Sequence, residues 1–217
     1  MPLMLYAHPF SSYCQKVLIA LYENGTTFED RMIEHEGAME ELAALWPLKK
    51  FPVLVDDGRT VIEASIIIEH LDIFHPGDEK LIPADPHAAL EVRMMDRFFD
   101  NYVMTPMQTL VGNALRPEGS RDPYGVAKAR EALEVGYRWL DGKMAGREWA
   151  GGGAFSLADC AAAPSLFYAD WAHPIGDDMA NLKAYRRRLL ARPSFARAVE
   201  EARPFRAYFP LGAPDRD

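Results

Sequence analysis

The apolar positions of this chain change rhythm once. From Leu3 to Ala7 they run almost unbroken, and from Val17 to Leu21 they resume behind a polar turn, which predicts a first strand passing into a first helix. Asn24-Gly25 stops that helix, and Thr27–Ile33 follows as a second strand. Met39, Leu42, Leu45 and Trp46 return at helical spacing until Pro47 ends the run. Pro52 then opens an apolar strand, Val53-Leu54-Val55, and Asp57-Gly58 turns it back into Thr60-Val61-Ile62 as a hairpin. Ala64, Ile67, Ile68 and Leu71 fall at i, i+3, i+4 and i+7, one buried face of a third helix. The order is βαβαββα.

Past His75 the strand pattern stops. The stretch from His75-Pro76-Gly77-Asp78 to Pro86 reads as a linker, so a domain of residues 1–78 is expected before it and a second of 87–217 after it. Met95, Phe98, Phe99, Tyr102 and Val103 fit a helix that Pro106 should kink or end. Ala129, Ala132, Leu133 and Leu140 mark another, with Pro117–Pro123 as the turn between them. Ser156-Leu157-Ala158-Asp159 has the spacing of a capping box before the apolar run Cys160–Phe167. Leu182–Leu190 and Phe195–Ala202 are two shorter helices, and Phe205, Tyr208 and Phe209 form an aromatic tail. The fold class expected is therefore an α/β domain followed by an all-helical one.

Composition narrows the function. A formal charge of −8 opposes general attraction to nucleic acid or anionic membranes. No window reaches the roughly 18 apolar residues that span a bilayer, and the start of the chain lacks the basic and long apolar regions of a secretory signal. Its two cysteines, Cys14 and Cys160, have no metal-like spacing and suit a reducing cytoplasm. No metal is expected. The one basic run, Arg186-Arg187-Arg188, reads as a solvated helix face, with a phosphate or partner site as its alternative.

Three stretches carry candidate chemistry. Ser11 and Ser12 stand where the first helix begins, before unpaired backbone N–H groups and the positive end of the helix dipole, where an anion such as a thiolate is stabilised; a plain N-cap would use the same hydroxyl. Lys49-Lys50-Phe51-Pro52 precedes the third strand, and Glu63-Ala64-Ser65 opens the third helix with an acid. Gly151-Gly152-Gly153 lacks the lysine of a phosphate cradle and reads as a loop. His8 has no partner that the sequence identifies, which favours packing or capping over a base.

Taken together, and in this order, these stretches resemble the cytosolic glutathione transferases, whose first domain has a thioredoxin-like fold and whose second is helical. The resemblance implies glutathione as co-substrate, with Ser11 as the hydroxyl that stabilises its thiolate and Ser12 in reserve. Counting back five positions from Lys16 in Lys16-Val17-Leu18-Ile19 selects Ser11. A hundredfold gain in thiolate corresponds to about 2.7 kcal/mol, within reach of one charge-assisted hydrogen bond and a helix dipole. It further implies a cis bond before Pro52 that turns the backbone of Phe51 toward glutathione, with Lys50 pairing a carboxylate. Glu63 would hold the ammonium of the γ-glutamyl group. Helix-start N–H groups at Ala64 and Ser65 would take its carboxylate, although Ala64 stands where a serine hydroxyl is usual and the Ser65 hydroxyl would have to substitute for it. The buried determinant of the helical domain in this family has the form of Ser156–Asp159.

The second substrate expected is a small, hydrophobic electrophile held between the domains, with Phe10, Tyr102, Thr105, Trp171 and Tyr208 as candidate wall residues. The expected assembly is a cytoplasmic homodimer, pairing the third helix of one subunit with the fourth of the other, and the expected role is detoxification. Lys49–Leu54 is similar to the tau class, whereas Ser11-Ser12 is similar to the zeta class, whose members isomerise maleylacetoacetate. The zeta reading is weakened by Ser-Ser-Tyr-Cys at 11–14 and by Pro164-Ser165. Thiol transfer of the omega type is weaker still, its cysteine being replaced by Ser11. A non-catalytic glutathione-binding or assembly module is the reading from another class.

Overall fold

The computed structural model describes residues 3–78 and 80–217. Strand β1 (Leu3–Ala7) leads into helix α1 (Ser12–Glu23), and β2 (Phe28–Met32) returns beside β1 in parallel. Helix α2 (Ala38–Leu45) precedes the hairpin of β3 (Val53–Asp56) and β4 (Arg59–Ile62), after which α3 (Ala64–Phe74) closes the domain. The sheet order is β2-β1-β3-β4, with β3 antiparallel to both neighbours. Leu5, Val17, Ile19, Leu21, Leu54, Ile67 and Ile68 pack the layer between the sheet and α1 and α3, all of them buried. Helix α2 lies on the other face, where Leu42 meets Tyr6 and Val53. Its Glu41 accepts from Tyr6 Oη at 3.1 Å and from Arg31 Nη2 at 2.7 Å, which ties this short helix to β1 and β2.

The second domain is helical: α4 (Pro86–Phe98), a π-helical turn (Phe99–Met104), α5 (Thr105–Ala114), α6 (Pro123–Met144), α7 (Leu157–Ala172), α8 (Ala180–Leu190) and α9 (Pro193–Ala202). One sequence-based expectation needs correction here and another is narrowed. The last linker proline does not precede the helix but opens it, because Asp85 caps the start with Oδ2 accepting from Ala88 N at 2.8 Å. Of the two outcomes expected at Pro106, a kink or an end, the structure excludes the end. The proline sits in the first turn of α5, after a π-helical turn has already interrupted the regular i→i−4 ladder that a proline would break.

Helix α7 is buried along its whole length and packs against α1, α4 and α8, so it is the axis of the molecule. Its start is the expected capping box. Ser156 N and Oγ each reach Asp159 Oδ2 at 2.9 Å. The other carboxylate oxygen accepts from Ala150 N at 2.9 Å and from Tyr185 Oη at 2.6 Å, tying the preceding loop and α8 to the same acid. On α8 the buried residues are Leu182, Tyr185, Arg186 and Leu189. Arg186 thus falls on the inner stripe rather than on a solvated face, 3.2 Å from Asp170 and with its guanidinium over the Phe167 ring.

Candidate functional site

Register brings the three candidate stretches to one end of the sheet. Tyr6 pairs with Val53, and Val53 with Ile62, so the chain leaves β1 toward His8, enters β3 from Pro52 and leaves β4 into Glu63 side by side. The starts of α1 and α3 are also joined: Lys16 Nζ, one turn into α1, donates to Ser65 Oγ at 2.9 Å.

At the start of α1, Ser11 is the N-cap, its Oγ accepting from Cys14 N at 3.4 Å. Its carbonyl accepts from Gln15 N, and its own N–H donates to His8 O. Ser12 is the first helical residue, and its Oγ points at Met104 Sδ across the domain junction, 3.4 Å away. The turn ahead is held from α1 itself and from the helical domain. Gln15, fully buried, donates to Pro9 O at 2.9 Å, and Tyr168 Oη donates to Phe10 O at 3.0 Å. His8 is given partners that its sequence neighbours do not announce. Its Nδ1 accepts from Phe10 N, and Glu34 Oε1 lies 3.3 Å from Nε2. Cys14 is fully buried, and burial pushes its thiol up to about 12 against the lowering effect of the Ser11 hydroxyl. It therefore remains protonated at neutral pH.

The bond between Phe51 and Pro52 is cis, and Lys49 just before it has a positive φ of 53°. Phe51 packs between the two apolar clusters, while Lys50 is exposed and has no ion pair among the described residues. Glu63 occupies the N-cap position of α3 at φ 69°, ψ 118°, makes no capping hydrogen bond with its side chain, and is exposed. The first N–H groups of α3 are left without that cap. Ala64 is buried. Ser65 is already engaged, accepting from Lys16 and Arg97 and donating to Asp96 Oδ2 at 2.8 Å.

That last contact belongs to a cluster the sequence does not announce. Lys16, 1% exposed, stands 2.5 Å from Asp96 Oδ1 and 2.9 Å from Asp100 Oδ2, two acids one helical turn apart on the second domain. Arg97 spans both acids from the solvent side at 2.7 Å. Burial still raises the Asp100 carboxyl above its usual range, and it pushes the neighbouring Tyr13 phenol up to about 12. A signal was there: Asp96 and Asp100 lie among Met95, Phe99 and Val103, on the apolar stripe itself.

The expected wall residues divide into two groups. Phe10 meets Tyr168 edge-on at 5.3 Å, Tyr168 meets Trp171 at 5.6 Å, and Tyr208 stacks on His8 at 6.0 Å, so these belong to one aromatic region beside the α1 turn. Trp171 is buried within it rather than facing open space. Tyr102 is exposed on the π-helical turn against Phe98, which stacks on Trp139 at 4.3 Å, and Thr105 Oγ1 donates to Asp100 O at 3.0 Å. Of this segment, the residue that meets Ser12 is Met104, between the two in sequence.

Fold and site define a two-domain protein whose thioredoxin-like half presents two helix starts and a cis-proline strand at one edge, against a helical half. The family models for the glutathione S-transferase N-terminal and C-terminal domains match residues 5–79 and 99–193. A glutathione S-transferase from Methylobacillus flagellatus, solved with GSH bound, superposes with a TM-score of 0.79 at 29% identity, covering 90% of this chain and 98% of that one. Glutathione S-transferase U10 of Arabidopsis thaliana is 31% identical over 126 residues, 58% of this chain and 53% of the plant protein. The matched region thus spans about half the length of that plant relative. FtsZ-localized protein A of Caulobacter vibrioides is 28% identical over 204 residues, 88% of each chain. This chain belongs to the glutathione S-transferase family.

Proposed function

We propose that this chain is a glutathione transferase that attacks a small hydrophobic electrophile with the thiolate of glutathione. The observation that carries the reading is the convergence, at one end of the sheet, of the Ser11 N-cap, the backbone of Phe51 ahead of Pro52, and the uncapped start of α3 at Glu63. Ser11 Oγ and the helix dipole stabilise the thiolate, with Ser12 in reserve. The backbone of Phe51 pairs with the cysteinyl part, and Lys50 with a carboxylate. Glu63 takes the γ-glutamyl ammonium, and the N–H groups at Ala64 and Ser65 take its carboxylate. Because the Ser65 hydroxyl is spent on Lys16 and Asp96, only its backbone serves this subsite. The electrophile lies beside Phe10, with Tyr102, Thr105 and Tyr208 as flanking groups and Trp171 backing them.

The working form is a cytoplasmic homodimer with a role in detoxification, built from domains of residues 1–78 and 87–217. Exposed Ile66, Ile73 and Phe74 on α3, with Leu90 and Met94 on α4, supply an apolar face for pairing. Two buried, unpaired cysteines suit the compartment. The similarity to FtsZ-localized protein A over 88% of both chains favours a second reading, a glutathione-binding assembly module without turnover. Calorimetric titration with glutathione, followed by conjugation assays on generic electrophiles, tests both. Binding with turnover supports the transferase, binding alone supports the module, and no binding removes both.

A further inference from the structure

Far from the α1 turn, three ligand-type side chains converge. Asp56 ends β3, His70 lies in the last turns of α3, and His75 is the residue that caps it. Helix α3 is 11 residues long, so its C-terminal end stands about 16 Å from Glu63 along the axis. Asp56 Oδ2 lies 2.7 Å from His70 Nε2 and 2.8 Å from His75 Nε2. The three donor atoms are all within 4.8 Å of one another. Burial is graded, with His70 8%, Asp56 17% and His75 33% exposed at the side chain, so one side of the cluster opens to water.

We propose that Asp56, His70 and His75 form a binding site for a divalent transition-metal ion of the zinc type. Two imidazole nitrogens and one carboxylate oxygen are a donor set for zinc, cobalt or nickel; magnesium and calcium require more oxygen. Tetrahedral zinc at about 2.0–2.1 Å from each donor sets them about 3.3 Å apart, so the two contacts to Asp56 open by about half an ångström while the two imidazole nitrogens, within 4.8 Å of each other, settle to the same spacing. The His75 side, at a helix end beside Pro76 and Gly77, supplies that movement, and water reaches the fourth position there. The exposed Phe74 ring lies 4.6 Å from that of His70 and flanks it. Bound metal ties the end of β3 to the end of α3 and requires neither glutathione nor the electrophile.

The competing account is a hydrogen-bonded lock, one carboxylate oxygen accepting from two imidazoles. His75→Gln separates the two, because an amide still donates to Asp56 but is a poor ligand. Untagged chain, stripped with a chelator, is titrated with ZnCl₂ by calorimetry and with CoCl₂ by visible absorption, and its melting is followed with and without zinc. The proposal expects one saturable zinc per chain and ligand-field bands with cobalt. His75→Gln and Asp56→Asn should each weaken zinc by about tenfold or more. Zinc should raise the melting midpoint of the natural chain only. No saturable binding, equal binding by the variants, or magnesium competing at equal concentration would each overturn it.

Discussion

Ser11 and Ser12 differ by one position and by what their hydroxyls face. Ser11 caps α1 within its own domain, whereas Ser12 is turned to the Met104 thioether. If Ser11 has the role proposed for it, Ser11→Ala lowers turnover by about ten- to a hundredfold with little change in glutathione affinity, since the hydroxyl then acts on the sulfur and not on the carboxylates. Ser12→Ala should be milder, and steady-state kinetics showing the reverse order would transfer the role. Cys14, with its thiol pushed up to about 12, should resist alkylation in the native protein at neutral pH and react once the chain unfolds. Rapid native labelling seen by mass spectrometry would contradict its burial. Glu63 holds a conformation that side chains rarely adopt and gains no capping bond from it. Glu63→Gln should cost about 1.5–3 kcal/mol of glutathione affinity and leave apo stability unchanged. Glu63→Gly should lose as much affinity while relieving the backbone, so its melting midpoint should rise. A fall in both variants' stability with intact binding would return Glu63 to a structural role.

At the scale of elements, Asp159 is the most exacting position. It is fully buried and receives Ser156 on one oxygen, Ala150 N and Tyr185 Oη on the other. Asp159→Ala orphans several buried donors at about 1–3 kcal/mol each, so the expected loss is about 3 kcal/mol or more, beyond that of a simple cap. Denaturant melts of the purified variant measure this, and a loss under 1 kcal/mol would mean the donors find other partners. The capping box was legible because it is local: four residues state it. Ala150 and Tyr185 were not, since nothing near Asp159 in the chain points to them. The same division holds elsewhere. Strands, the hairpin turn and the α3 stripe follow from period and turn chemistry. The rescue of Pro106 by a π-helical turn, and the inward setting of Arg186, depend on what packs against the helix. That the stretches holding Ser11, Pro52 and Glu63 share one end of the sheet follows from the order of the elements along the chain, whereas the commitment of Ser65 to a charged cluster does not.

Across the whole molecule, the two domains are joined by Lys16 meeting Asp96 and Asp100 in an almost dry junction. Removing the lysine alone leaves two like charges buried, partly relieved by Arg97. Lys16→Met should therefore destabilise by about 3–5 kcal/mol, and adding Asp96→Asn and Asp100→Asn should restore part of that loss. A single variant as stable as the natural chain, by thermal and denaturant melts, would show the cluster to be dispensable. The helical half, which carries most of the flanking groups proposed for the second substrate, is the half whose exchange between relatives would, on that reading, most readily change specificity. Recombination between the end of α3 and the start of α4 would bring in those helices as a block. It would yield a folded hybrid only when the incoming block carries acids at the positions of Asp96 and Asp100, so a single lysine in the first domain limits which helical halves its lineage can borrow.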